Sequence, residues 1–124
     1  MKKILIVDDS LFMRNILKDV LLSDKSPDKL QIVEADTGAK ALVQFKKEMP
    51  DLVFLDIIMP DGEEEGLRVL REMMKKDQKT QVVMITSVGQ DAIVEECKKL
   101  GARDYIVKPF DDNVIVETVE KYLK

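Results

Sequence analysis

Two hydrophobic periods alternate along this chain, and that alternation limits its fold more than any other feature. Ile4 to Val7, Leu52 to Leu55, Val82 to Ile85 and Tyr105 to Val107 are short, continuous apolar runs. They have the length of strands and no polar face, as expected for strands covered on both sides of a parallel sheet. A fifth run, Leu30-Gln31-Ile32-Val33, includes a polar residue and suits an edge strand. Between the runs lie helical spacings. Met13, Ile16, Leu17, Val20 and Leu21 follow one another at i, i+3, i+4, i+7 and i+8, with Ser10 as the expected N-cap. Gly38, Ala41, Leu42 and Phe45 repeat the pattern, as do Gly66, Val69, Leu70 and Met73. Two further helices are read from Ile93, Cys97 and Leu100, and from Ile115, Val119, Tyr122 and Leu123.

Five β-α units in succession predict an α/β fold. Right-handed crossovers leave few arrangements, and the doubly wound order 2-1-3-4-5 puts the topological switch point between strands 1 and 3. Neither an internal repeat nor an interdomain linker interrupts residues 1–124, which read as one domain; Ser23 to Lys29 is a polar turn joining helix 1 to strand 2. With 45% apolar residues the chain can bury a core. A net charge of −4 with no basic stripe disfavours a nucleic-acid partner. Cys97, the single cysteine, cannot form an intrachain disulfide, and no apolar run nears the about 20 residues of a membrane span. The start, Met-Lys-Lys and four apolar residues, is too short for a secretory signal. A cytoplasmic protein with no membrane partner is the expectation.

The chemistry collects at the strand ends. Asp8 and Asp9 follow strand 1 and Asp56 follows strand 3, so the three acids are expected to meet at the switch-point crevice, where ligands of such sheets bind. Any one of them could simply cap a loop or a helix. Three converging carboxylates repel one another unless a cation joins them, and hard oxygen donors suit Mg²⁺. Thr86 follows strand 4 and Lys108 follows strand 5, adding a hydroxyl and an ammonium. This set matches what phosphoryl transfer to a carboxylate requires: Asp56 as nucleophile, with Lys108 and Thr86 holding the transferring group.

The stretches "ILIVDDSLFMR", "PDLVFLDIIMP", "VVMITS" and "GARDYIVKPF", in this order and on this frame, resemble the receiver domain of two-component response regulators over essentially the whole chain. The resemblance implies a flavodoxin-like fold. It implies that Asp56 is the phosphoacceptor, that Asp8, Asp9, Asp56 and the backbone carbonyl of Ile58 organise Mg²⁺, and that Thr86 and Lys108 contact the phosphoryl group. Tyr105 becomes the switch aromatic, and the Lys108-Pro109 bond is expected to be cis. The donor in that family is a phosphohistidine of a sensor histidine kinase or phosphotransfer protein. This chain contains no histidine, so the donor must be another molecule. On phosphorylation Thr86 is expected to move toward the phosphoryl group and Tyr105 to turn inward, remodelling the surface of helix 4, strand 5 and helix 5 for a downstream protein target. "DDSLFMR" is closest to chemotaxis-type, stand-alone receivers, expected as monomers, with dimerisation on phosphorylation left open. Because no output segment follows the fifth helix here, a protein-binding surface is the expected output.

Several residues carry narrower expectations. Phe12 is read as partly buried packing, with a kinase-docking role shared with Arg14 and Asn15 as the alternative. Met73, Met74 and Met84 read as core filler, and Cys97 as a buried small hydrophobe. In "DGEEEGLRVL" the loop after Met59-Pro60 is two residues longer than the family pattern. Glu63, Glu64 and Glu65 are read as a solvated face favouring the start of helix 3, with a second metal contact or a partner surface as the alternative. Ile58 and Val88 flank the expected path of hydrolytic water and cannot orient it, which predicts slow self-dephosphorylation. Two other functions were weighed. A Mg²⁺-dependent phosphohydrolase would want an acid where Ile58 stands, and a flavin module would want a hydroxyl- and glycine-rich loop where Asp8 and Asp9 stand.

Overall fold

The computed structural model describes residues 2–23, 30–60, 62 and 64–123. Its elements alternate as expected: β1 (Lys2–Val7), α1 (Leu11–Leu21), β2 (Leu30–Ala35), α2 (Gly38–Glu48), β3 (Leu52–Leu55), α3 (Glu65–Lys76), β4 (Val82–Thr86), α4 (Asp91–Leu100), β5 (Asp104–Val107) and α5 (Asp112–Leu123). All neighbouring strands pair in parallel, in the order β2-β1-β3-β4-β5. Most of the polar turn read at Ser23 to Lys29 lies outside the described residues.

The central strands explain their own apolar runs, because alternate residues face two separate layers. Leu5, Val7, Val53, Leu55, Val82 and Met84 pack with α2, α3 and α4, whereas Ile4, Ile6, Leu52, Phe54, Val83 and Ile85 pack with α1 and α5. A strand buried on both faces needs no polar alternation, so Ile4 to Val7 of β1, all of β3 and Val82 to Ile85 of β4 are continuous apolar runs. β5 departs from this expectation. Ile106 is buried but Val107 is 44% exposed, because the strand order leaves β5 as well as β2 at an edge. Met73 and Met84 lie in the core as read, Cys97 is buried, and Met74 is only partly covered.

Side-chain caps open α1 and α2. The Ser10 hydroxyl accepts from the Met13 N–H, and Thr37 does the same for Lys40 at the start of α2. α4 ends at Gly101, whose φ of +115° is open to glycine and strained for other residues. Phe12 overturns its packing expectation: it is 73% exposed, because α1 turns Leu17, Val20 and Leu21 inward and leaves its first turn beyond the edge of the core.

Candidate functional site

Ladder hydrogen bonds extend one residue past the strands and fix the acids before any side chain acts. The Asp8 N–H donates to the Ala35 carbonyl (3.1 Å) and the Asp56 N–H to the Val7 carbonyl (3.0 Å). Both aspartates therefore leave the C-terminal edge of the sheet side by side. Lys108 arrives the same way, its N–H donating to the Thr86 carbonyl (2.8 Å), and the following Lys108-Pro109 bond is cis, as the resemblance implied.

Side chains then close the site. The Lys108 ammonium donates to Asp8 Oδ2 at 2.6 Å and to Asp56 Oδ2 at 3.0 Å. Asp8, Asp9 and Asp56 offer carboxylate oxygens within 4.8 Å of one another; Asp8 and Asp56 are buried, and Asp9 is exposed. No other acid joins this group among the described residues. Burial pushes the Asp8 carboxyl above its usual range, against the opposing pull of Lys108 and the Ser10 N–H. Burial also works against a charged Lys108, but its hydrogen bond to Asp8 and the charges of Asp56 and Asp8 outweigh it and leave the pKa raised. One ammonium against three carboxylates leaves a local excess of negative charge on hard oxygen donors. That donor set fits a divalent cation of the Mg²⁺ kind.

The switch candidates lie beside this cluster and share one residue. Thr86 is fully buried, and its hydroxyl accepts from the Val88 N–H (3.4 Å). The Tyr105 hydroxyl donates to the Val88 carbonyl, and its ring packs against the core layer of α2, α3 and α4. Tyr105 is partly buried in this arrangement. Ile58, with its N–H donating to Asp56 Oδ1 (3.3 Å), is 41% exposed, while Ile57 and Met59 on either side are buried.

Three residues make contacts that their sequence readings did not anticipate. Gly66 was read only as a helix-face position. A Cβ there would lie 2.1 Å from the Asp56 carbonyl oxygen and 2.4 Å from Ile57 Cα, while its N–H donates to the Ile57 carbonyl (2.8 Å). It is the point where α3 meets the backbone of Asp56, and only its place after the acidic loop hinted at this. Arg14, for which kinase docking was only the alternative, turns inward: its Nη1 donates to the Asp8 carbonyl (2.7 Å) and its Nε to Glu34 (3.0 Å), which Lys18 also binds (3.0 Å). Asn15 is exposed. Glu65 corrects the solvated-face expectation. Its side chain is 9% exposed, lies against Gly38 and pairs with Arg68, because the first turn of α3 faces α2. Glu64 is exposed, and Glu63 lies outside the described residues.

The chain belongs to the response regulator receiver domain family, whose sequence model matches residues 4–120, and is thereby a phosphorylation-activated signalling domain. It is 40% identical to the chemotaxis protein CheY of Listeria monocytogenes, over all of both chains. Among solved structures it resembles a CheY-like receiver domain protein from Methanospirillum hungatei, with a TM-score of 0.88 and 26% identity over 99% of this chain and 94% of that one. A chain in a CheX-CheY-BeF3-Mg complex from Borrelia burgdorferi gives a TM-score of 0.86 and 30% identity over 99% of this chain and 90% of that one.

Proposed function

We propose that Asp56 accepts a phosphoryl group from a phosphohistidine on a sensor histidine kinase or phosphotransfer protein, assisted by its own site and by Mg²⁺. The observation that carries this reading is the Lys108 ammonium held between Asp8 and Asp56, with the third carboxylate beside them. Asp8, Asp9, Asp56 and the Ile58 carbonyl would hold Mg²⁺, which when bound neutralises charge on the phosphoryl oxygens. An Asp56 carboxylate oxygen attacks phosphorus, the P–N bond to imidazole breaks, and the imidazole leaves with the bonding pair. Lys108 exchanges a carboxylate partner for a phosphoryl oxygen, so the added charge meets an ammonium already in place.

Thr86 and Tyr105 give the switch its output. The Thr86 hydroxyl proton has no acceptor among the described residues, so it is available to the phosphoryl group. Turning toward that group releases the Val88 N–H, while Tyr105 holds the carbonyl of the same residue. The change is thus passed to α4, β5 and α5, the surface offered to a downstream protein target. A chemotaxis role accords with the full-length similarity to the chemotaxis protein CheY.

Intact mass after treatment with acetyl phosphate and Mg²⁺ tests the reading. A gain of about 80 Da, one phosphoryl group, is expected in the wild type and absent in Asp56→Ala or with metal chelated. A gain that survives Asp56→Ala would move the acceptor elsewhere. Repeated turnover of an aryl phosphate would favour a phosphohydrolase.

A further inference from the structure

At the opposite end of the sheet, where β1, β3 and β4 begin, lies a cavity of about 600 Å³ unrelated to the acidic cluster. That volume falls within the range of small-molecule sites. Its charge runs against the chain's. In a protein of net charge −4, four lysines, Lys2, Lys46, Lys76 and Lys79, line the cavity. None of them forms an ion pair among the described residues. The two acids at the cavity, Asp51 and Asp77, direct their carboxylates to backbone, accepting from the Lys3 N–H (2.8 Å) and the Lys79 N–H (2.9 Å).

A second observation is independent of charge. Thr80 lines the same cavity and is 7% exposed, yet its hydroxyl has no hydrogen-bond partner among the described residues. A buried hydroxyl without a partner costs on the order of 1–3 kcal/mol, so such groups normally meet one. The wall around it is firmly built. Gln81 Nε2 donates to the Tyr122 carbonyl (2.6 Å) and to the Asp51 carbonyl (3.3 Å), tying the end of α5 to the entry of β3. Met49, which is 80% exposed, and the partly buried Tyr122 offer apolar surface, with Phe45 and Leu123 buried behind them.

From these features we infer that the cavity binds a small phosphate monoester with a planar body, of the nucleoside monophosphate class. Four ammoniums against two carboxylates leave room for a dianion, which is the charge of such a phosphate near neutral pH. The Thr80 hydroxyl is a donor for a ligand oxygen, and the aromatic and aliphatic side chains cover the flat base. Inorganic phosphate shares the charge but not the body, and adenosine the body but not the charge.

Amide chemical shifts followed during separate titrations with adenosine monophosphate, inorganic phosphate and adenosine, all without Mg²⁺, test the site. Saturable shifts at Thr80 and Gln81 are expected with the nucleotide, and much weaker ones with either fragment. Lys76→Gln combined with Lys79→Gln should weaken nucleotide binding by about tenfold or more, and Thr80→Val by a smaller factor. The lysine pair is surface-exposed and leaves the core untouched, so that variant stays informative even where Thr80→Val fails to fold. No saturable shift at millimolar nucleotide would overturn the proposal. So would equal binding of either fragment, an unchanged affinity in the lysine variant, or shifts confined to the acidic cluster.

Discussion

Gly66 shows how one residue can fix the backbone that carries the Asp56 carboxylate. With its would-be Cβ 2.1 Å from a backbone oxygen, Gly66→Ala can be accommodated only by moving α3 or the Asp56–Ile57 backbone. A loss of about 3 kcal/mol or more in urea denaturation is expected, with slower phosphorylation in the surviving folded fraction. Wild-type stability in this variant would mean that α3 is free to slide. In the proposed function Ile58 and Val88 would act by what they lack. Neither side chain can hydrogen-bond water, and Val88 is packed against the core layer of α2, α3 and α4. Ile58→Asn with Val88→Glu supplies two polar groups beside the proposed acyl phosphate and should speed its loss by about tenfold or more. Decay of the phosphorylated mass peak measures this, and an unchanged lifetime would show that water reaches the site by another path.

The two helices on either side of β4 are held unequally. α3 buries Gly66, Leu67, Val69, Leu70 and Met73, whereas α4 fully buries Cys97 alone. A helix with so little covered surface opens at low cost, and α4 lies beside the loop that Thr86 and Tyr105 grip. Amide hydrogen exchange should therefore be faster along α4 than along α3. Equal protection would place the mobile part of the switch elsewhere. Periodicity had located both helices, since Leu70, Met73 and Cys97 stand at core spacing. It could not rank their packing, because an i, i+4 pattern records which face is apolar and not how closely a neighbour covers it. β5 illustrates the same limit: its apolar letters match those of β4, and only its place at the sheet edge exposes Val107.

Considered as a whole, the protein buries one weak acid, the Cys97 thiol, and partly buries another, the Tyr105 hydroxyl, and the two are expected to make it sensitive to base. Burial pushes the Cys97 thiol up from 9.0 to about 11, and pushes the Tyr105 hydroxyl up from 10.0 to about 12. Both folded values exceed the unfolded ones. The stability these neutral groups contribute is complete below pH 9 and is lost as pH rises from 9 toward 12, because the unfolded chain releases its protons first. The urea midpoint should hold to about pH 9 and then fall, less steeply in Cys97→Ala with Tyr105→Phe. An alkaline slope unchanged in that double variant would assign the sensitivity to other groups.

The order of elements, the doubly wound sheet and the placement of Asp8, Asp9, Asp56, Thr86 and Lys108 at strand ends were all legible in the linear chain. Strand and helix periods, and the position of a residue at the end of a strand, are local properties. The three-way contact of Lys108 with Asp8 and Asp56 spans 100 and 52 residues, and the inward turn of Arg14 answers to a glutamate on β2. The exposure of Phe12, the burial of Glu65 and the close approach of Gly66 to Asp56 likewise depend on which element lies opposite. Such contacts are set when distant segments pack against one another, and no local pattern records them.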